Sequence, residues 1–137
     1  MPTILCIDDD PQMLGLQKTI LEIEGYTVLI ASDGPSGLAL AAEHTVDVVV
    51  LDFKMPGMDG GQVAQVLSKE QPNLPVVICT GFFDAVPEWL RWFAAAYLQK
   101  GDGPQALLSS IQEVIAKKEG SGQTTETKRS FRKAGAA

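Results

Sequence analysis

The hydrophobic residues of this chain fall into five short runs, separated by segments in which apolar residues recur at helical spacing. The runs are 3–7 (TILCI), 26–30 (YTVLI), 46–51 (VDVVVL), 75–80 (PVVICT) and 96–99 (AYLQ). Short apolar runs rich in β-branched residues are typical of buried strands. Their alternation with helical segments predicts an α/β domain with a five-stranded parallel sheet.

The segments between the runs predict five helices, the fourth of them a short one over residues 87–95. Pro11 suits the first turn of the first helix, which ends at Gly25, and Asp33 or Gly34 caps the second. The apolar stripes are Met13, Leu16, Ile20 and Ile23 in the first helix, inward-facing Leu38, Ala41 and Ala42 in the second, Val63, Val66 and Leu67 in the third, and Leu107, Leu108, Ile111, Val114 and Ile115 in the last. Helices on both faces of a parallel sheet give a doubly wound fold.

The distribution of charge divides the chain into two parts. The formal net charge is −6, but residues 117–137 carry +4 and the remainder carries −10. We predict a folded domain over residues 1–118 and a disordered basic tail or linker over residues 119–137, which has no sustained apolar period. The acidic folded domain is not expected to bind DNA directly. For the tail, a solvated linker is favoured over contact with acidic partners or nucleic acid.

Composition also bears on where the protein acts. No apolar run approaches the roughly 20 residues that a bilayer span needs, and the start of the chain lacks the features of a signal peptide. A cytoplasmic protein without membrane insertion is expected. Cys6 and Cys79 lie inside apolar runs and are expected to serve as small buried hydrophobes rather than as a disulfide or metal pair.

Polar residues end or directly follow four of the five predicted strands. Asp8 to Asp10 follow the first, Asp52 the third and Lys100 the fifth, while Thr80 is the last residue of the fourth. In a parallel sheet these strand ends share one edge, where ligands bind. Crowded carboxylates repel each other unless one takes up a proton or a cation balances them. Mg²⁺, with Mn²⁺ as an alternative, suits such oxygen ligands, so the pattern predicts phosphoryl transfer to an aspartate.

Each of these residues also has a simpler interpretation. The acidic run can cap the helix that begins at Pro11, and a lone aspartate at a strand end is commonly a turn former. Thr80 before Gly81 suits a turn, and a single lysine is commonly solvated. Their joint placement on one predicted edge favours a functional site.

Four segments together resemble the receiver domain of two-component response regulators, over residues 3 to about 118. They are ILCIDDDP, VVVLDFKMPGMDG, ICTG and YLQK, of which the D-x-x-M-P-x-M-D-G string is the most specific. The resemblance implies a flavodoxin-like sheet with strand order 2-1-3-4-5. It also implies a phosphorylation-activated switch whose phosphoryl group comes from a phosphohistidine of a sensor histidine kinase or phosphotransfer protein.

The resemblance assigns a role to each matching residue. Asp52 would be the phosphoacceptor, with Asp9 binding Mg²⁺ directly, Asp8 mainly through water, and Lys54 through its backbone carbonyl. Thr80 and Lys100 would contact the phosphoryl group. Tyr97 would move inward with Thr80, which would alter the surface offered to a downstream protein or an attached output domain.

The chain departs from the family pattern around the fifth strand. Gly101 follows Lys100 where the family usually has proline, so a trans bond or a more mobile loop is expected instead of a cis bond. The span from Thr80 to Lys100 is slightly short, which predicts a short or reshaped fourth helix. Aromatic residues are concentrated there, and Trp89, Trp92 and Phe93 are predicted to form a partner or homodimer surface.

Lys54 and Phe82 stand two residues after Asp52 and Thr80, at positions that by resemblance tune attack by water. The bulky ring of Phe82 predicts a long-lived phosphoryl form. Two other functions stay open: an interaction module that does not depend on phosphorylation, and, less favoured because Lys54 replaces a second acid, an aspartate-nucleophile phosphohydrolase. Nucleotide binding is least favoured, because no glycine-rich loop follows the first strand.

Overall fold

Five parallel strands form the sheet, in the order β2-β1-β3-β4-β5. The computed structural model describes residues 1–119. The strands are β1 (Thr3–Ile7), β2 (Thr27–Ala31), β3 (Val48–Leu51), β4 (Val76–Thr80) and β5 (Ala96–Gln99). The predicted bounds of β1 and β5 are confirmed to the residue, and the other three strands are confirmed with shifts of one or two residues. The predicted strand order is confirmed.

Five helices connect or follow the strands. They are α1 (Pro11–Ile23), α2 (Gly34–Glu43), α3 (Gly60–Glu70), α4 (Glu88–Phe93) and α5 (residues 104–119), with 3₁₀ turns at Phe83–Ala85 and Lys100–Asp102. Only six residues of α4 are helical, so the prediction of a short fourth helix is confirmed. The predicted tail lies outside the described residues except for Glu119, which is helical. No helix within residues 1–119 is long and apolar enough to span a bilayer.

The sheet has a hydrophobic core on each face, because alternate residues of a strand point to opposite sides. From β1, Leu5 and Ile7 pack on one face, while Ile4 and Cys6 pack on the other. Helices α2, α3 and α4 cover the first face, and α1 and α5 cover the second. The result is the predicted doubly wound fold, with the carboxyl ends of all five strands on one edge.

The buried face of α1 differs from the apolar stripe that its sequence predicts. Leu14, Gln17 and Leu21 are buried, whereas Leu16 is 51% and Ile23 is 77% exposed. The amide of Gln17 is buried with Oε1 lacking a hydrogen-bond partner within residues 1–119, and Nε2 lies 3.9 Å from Cys79 Sγ. The predicted stripe is correct in part, since Met13 and Ile20 are half-buried. It is wrong for Leu16 and Ile23, because apolar spacing cannot distinguish two overlapping stripes when the true one contains a glutamine.

In α2 the predicted inward residues are correct in part. Ala41 is buried and Leu38 is half-buried, but Ala42 is exposed. The helix sits close to the sheet at Gly37, where an added Cβ would lie 2.4 Å from Cδ1 of Ile7. This close approach turns the helix so that Gly37 and Ala41, four residues apart, face the sheet.

Both cysteines are free and buried, as expected. Burial is the main cause that raises the pKa of Cys6 to about 12 and the pKa of Cys79 to about 11. Such thiols stay protonated at neutral pH and pack as small hydrophobes.

Candidate functional site

Four of the predicted site residues meet at the carboxyl edge of the sheet. Asp8, Asp52 and Thr80 are buried there, with exposures of 1%, 3% and 0%. The ammonium of Lys100 lies 2.9 Å from Oδ2 of Asp8 and 3.2 Å from Oδ2 of Asp52. One lysine is therefore shared by two buried carboxylates that are 44 residues apart in the sequence.

The three consecutive aspartates after β1 have different surroundings. Asp10 is the N-cap of α1, with its carboxylate accepting from the backbone N–H of Gln12 at 3.0 Å. Asp8 points into the site and accepts from the backbone N–H of Asp10 through Oδ1 at 2.9 Å. Asp9 is exposed. The capping interpretation of the acidic run is thus correct for Asp10, while Asp8 and Asp9 lie with Asp52 in the site.

Asp52 is fixed by the backbone on both sides of the β3 end. Its N–H donates to the carbonyl of Ile7 in β1 at 2.9 Å. On the other side α3 approaches so closely that a Cβ on Gly60 would lie 2.5 Å from the carbonyl oxygen of Asp52. Asp59 caps that helix through a reciprocal pair of hydrogen bonds with Gln62. The glycine after MPGMD thus lets the start of α3 pack against the loop that carries Asp52.

The acidic residues form a cluster that could hold a metal ion. Oxygen atoms from Asp8, Asp9 and Asp52 all lie within 4.8 Å of one another. Oδ1 of Asp52 is buried and has no hydrogen-bond partner within residues 1–119. Lys100 supplies one positive charge against three carboxylates, so the cluster has excess negative charge. An all-oxygen set with an unpaired buried oxygen fits a hard divalent cation such as Mg²⁺ or Mn²⁺.

The charge state of Asp52 reflects this crowding. Burial, and after it the charge of Asp8, raise the pKa of Asp52 to about 6, although Lys100 acts in the opposite direction. For Lys100, burial opposes the charged form, but the hydrogen bond to Asp8 and the charge of Asp52 outweigh it and raise the pKa. Without a metal ion, the site is therefore short of positive charge at neutral pH.

An open cavity of about 430 Å³ leads to the carboxylate of Asp52. It is lined by Asp9, Asp52, Lys54, Met55, Pro56, Phe82 and Lys100. At its wall the ammonium of Lys54 lies 4.8 Å from the centroid of the Phe82 ring, within cation–π distance. Phe82 is 54% exposed. Lys54 and Phe82, the two residues predicted to tune attack by water, therefore line the same cavity as Asp52 and contact each other.

Thr80 and Tyr97 lie on neighbouring strands, β4 and β5. The hydroxyl of Thr80 accepts from the N–H of Phe82 at 3.1 Å. Tyr97 is 46% exposed, and its ring packs on Phe83 with 5.1 Å between centroids. The Lys100–Gly101 bond is trans, since residues 1–119 contain no cis peptide bond.

The aromatic segment divides between core and surface. Trp89 and Trp92 are 42% and 60% exposed. Phe93 is half-buried and packs against the core, so it does not belong to the exposed patch. Arg91, which the sequence did not single out, contacts Phe83 by its side chain. No local spacing rule links two residues eight apart across a break between helices, so this contact was not predictable.

Comparison with known proteins identifies the family to which this sequence is similar. The family model of the response regulator receiver domain matches residues 4–112. Protein PilH of Pseudomonas aeruginosa is 37% identical over 120 residues, which cover 85% of this chain and 99% of PilH. The probable transcriptional regulatory protein TcrX of Mycobacterium tuberculosis is 36% identical over 113 residues. That match covers 82% of this chain but 46% of TcrX, so the chain spans less than half of that relative.

Solved structures give the same assignment. A response regulator receiver domain protein from Clostridium thermocellum has a TM-score of 0.80 and 34% identity, covering 87% of this chain and 98% of that one. The response regulator TrrA from Thermotoga maritima, solved with Mg²⁺ and BeF, has a TM-score of 0.78 and 28% identity, with coverage of 83% and 99%. TrrA has also been solved in complex with the histidine kinase ThkA. The chain therefore belongs to the family of response regulator receiver domains, which act in two-component signal transduction.

Proposed function

We propose that this receiver domain is a phosphorylation-activated switch that accepts a phosphoryl group on Asp52. The observation that supports it most is the state of the Asp52 carboxylate. Oδ2 is paired with Lys100 at 3.2 Å, while Oδ1 is buried and unpaired within residues 1–119, and the residue lines an open cavity. A buried carboxylate oxygen without a hydrogen-bond partner destabilises the fold, so its presence points to a ligand or a reaction that uses it. The complex of TrrA with ThkA supports a sensor histidine kinase, or a phosphotransfer protein, as the donor.

The proposed reaction forms one bond and breaks one. Oδ1 of Asp52 attacks the phosphorus of a phosphohistidine, the P–N bond breaks, and the imidazole leaves with the electron pair. Lys100 then contacts an oxygen of the transferred group, with its charge maintained by Asp8 at 2.9 Å. The chain contributes position and charge, and it acts on its own phosphorylation rather than as an enzyme on other substrates.

The residues proposed to hold Mg²⁺ are Asp9 directly, Asp8 mainly through water, Asp52, and the backbone carbonyl of Lys54. When bound, the ion would neutralise the carboxylates and the phosphoryl oxygens. Asp9 is the exposed member of the cluster and faces the cavity, which suits a ligand that exchanges with solvent. TrrA, solved with Mg²⁺ and BeF, supports the same occupancy here.

The proposed response begins at Thr80. Its hydroxyl now accepts a hydrogen bond from Phe82, and turning toward a phosphoryl oxygen would change that contact. Tyr97, half-exposed on the neighbouring strand, would move inward as Thr80 moves. The altered surface would be recognised by a downstream protein, an attached output domain or a second copy of the chain. The exposed rings of Trp89 and Trp92 are proposed to form part of that surface.

The lifetime of the phosphoryl group is proposed to depend on Phe82 and Lys54. Water that hydrolyses the aspartyl phosphate must reach Asp52 through the cavity that these two side chains line. Their cation–π contact holds the ring beside that route. A slowly hydrolysed phosphoryl form is expected.

The direct test is incubation of the purified protein with Mg²⁺ and acetyl phosphate, followed by intact mass. A single stable adduct that Asp52→Asn abolishes supports the switch. Asp10→Asn is the matched control, because Asp10 belongs to the same acidic run but caps α1, a role that asparagine also performs. Consumption of the donor without an adduct would instead indicate a phosphohydrolase. Neither adduct nor turnover would indicate an interaction module that works without phosphorylation.

A further inference from the structure

The side chain of Arg91 reaches from α4 to the 3₁₀ turn that follows β4. Its Nη2 donates to the carbonyl oxygen of Phe83 at 3.2 Å, and its Cζ lies 4.8 Å from the centroid of the Phe83 ring. Within residues 1–119 it makes no ion pair with a carboxylate. This half-buried cation therefore holds a single residue at two points, its backbone and its ring.

The ring of Phe83 also contacts Tyr97. The two centroids are 5.1 Å apart and the ring planes are inclined at 45°, a favourable arrangement for an aromatic pair. In this contact Tyr97 remains 46% exposed on β5. Phe83 thus links the guanidinium on α4 to the tyrosine on the edge strand.

The same loop is attached to the phosphoryl site at its other end. The N–H of Phe82 donates to the hydroxyl of Thr80 at 3.1 Å, one residue before the segment that Arg91 holds. The inward movement proposed for Tyr97 would carry its ring away from Phe83, and a movement of the loop would alter the hydrogen bond between Arg91 and the carbonyl of Phe83. Both contacts therefore favour the arrangement seen in the structure, with Tyr97 exposed.

We propose that Arg91 is a positioning residue that holds Phe83, and through it Tyr97, in the outward arrangement, and so opposes the response to a phosphoryl group on Asp52. The inference rests on the proposed function for the coupling between Thr80 and Tyr97. Loss of a cation–π contact and a charged hydrogen bond shifts a two-state equilibrium by about tenfold. Removing Arg91 therefore favours the inward state to that extent.

The first measurement is ¹⁹F NMR of protein labelled with 3-fluorotyrosine. The chain has two tyrosines, so Tyr26→Phe assigns the Tyr97 resonance. The change in this resonance between H₂O and D₂O reports how exposed the fluorine is. In Arg91→Gln without ligand this solvent isotope shift should fall, because Tyr97 spends more time inward. The isotope shift of Arg91→Lys should lie between those of the wild type and Arg91→Gln, since lysine keeps the charge but lacks the planar guanidinium. Lys117→Gln, which removes an exposed positive charge from α5, should leave it unchanged.

The second measurement is titration with beryllofluoride in the presence of Mg²⁺, with beryllofluoride in place of the phosphoryl group. Arg91→Gln should reach half-saturation at about a tenfold lower concentration, because less energy is needed to reach the responding state. An unchanged isotope shift or an unchanged half-saturation point in Arg91→Gln would overturn the proposal. If Arg91→Gln differs from the wild type only in a lower midpoint of urea unfolding, Arg91 has a merely structural role.

The design separates failure of this inference from failure of the proposed function. If the wild-type protein does not bind beryllofluoride, the proposed function fails, while the exposure of Tyr97 in the free protein still decides the role of Arg91. If Arg91→Gln does not fold, Arg91→Lys and Phe83→Leu provide the same comparison, each with a smaller decrease in isotope shift expected. An unchanged shift in both would overturn the proposal.

Discussion

Asp52→Asn is expected to stabilise the metal-free protein against unfolding above pH 7. The wild-type carboxylate is 3% exposed, and burial together with the charge of Asp8 raises its pKa from an ordinary 3.8 to about 6. Each pKa unit corresponds to about 1.4 kcal/mol, so the ionised group lowers the free energy of unfolding by at most about 3 kcal/mol. Asparagine is neutral and nearly isosteric. Because Lys100 also loses one of its two carboxylate partners, the free energy of unfolding is expected to rise by about 1–3 kcal/mol.

The pH dependence follows from the direction of the shift. Below pH 3.8 Asp52 is protonated in both folded and unfolded chains and contributes nothing. As the pH rises through 3.8 toward 6, the unfolded chain loses its proton first, so the folded state binds more protons and its stability falls with pH. Above about pH 6 the full cost is present. The stability difference between Asp52→Asn and the wild type should therefore be largest at pH 7–8 and nearly absent at pH 4.

The assay is urea unfolding of both proteins in EDTA at a series of pH values. With an ordinary dependence on denaturant, the midpoint of Asp52→Asn should lie about 0.5–1.5 M higher at pH 8. Added Mg²⁺ should stabilise the wild type and have little effect on the variant, because a bound ion stabilises only the state that holds it. A lower midpoint for Asp52→Asn at pH 8, or a difference that does not change with pH, would refute the electrostatic argument.

Three further predictions concern the cavity wall, the core and the exposed aromatic patch. Phe82→Ala should shorten the lifetime of phosphorylated Asp52 severalfold, measured by intact mass after donor removal, because water reaches the site more easily; an unchanged lifetime would mean that the ring does not hinder water. Leu14→Ala should lower the free energy of unfolding by about 2–4 kcal/mol and Leu16→Ala by less than about 0.5. Equal losses in urea unfolding would contradict the buried face assigned to α1. If Trp89 and Trp92 form a dimer surface, the wild type should self-associate with beryllofluoride in analytical ultracentrifugation, and Trp89→Ala combined with Trp92→Ala should abolish this association while leaving the fold intact. A monomeric wild type, or equal association of the two proteins, would exclude the patch as a dimer surface.

The chemical content of the site explains how few residues the proposed switch needs. Two buried carboxylates share one lysine, and a third, exposed carboxylate lies within ligand distance of both. The charge deficit favours binding of a divalent cation, and Asp52, one oxygen of which is buried and unpaired within residues 1–119, lines the cavity. The residues around this centre, Lys54 and Phe82 at its wall and Arg91 beyond the loop, are proposed to set how long the phosphoryl group lasts and how strongly the surface responds.

The sequence by itself determined the fold class and the residues of the charged centre. Five apolar runs of strand length, alternating with helical segments, are sufficient for a parallel sheet, and in such a sheet every strand delivers its last residue to the same edge. Asp8, Asp52 and Lys100 directly follow three of those runs and Thr80 ends a fourth, so their meeting depends on strand position alone. Backbone geometry that repeats along every strand makes this kind of inference reliable.

Contacts that depend on rotation and packing were decided by the tertiary structure. Three features have no counterpart in local spacing: the burial of Gln17 with the exposure of Leu16 in α1, the half-buried position of Phe93, and the contacts of Phe83 with Arg91 and with Tyr97. Which face of a helix is buried depends on the shape of the surface that it meets, and a pair of side chains meets only after two elements have packed. The sequence therefore specifies which groups can react, while packing decides which of them are shielded, shared or held in place.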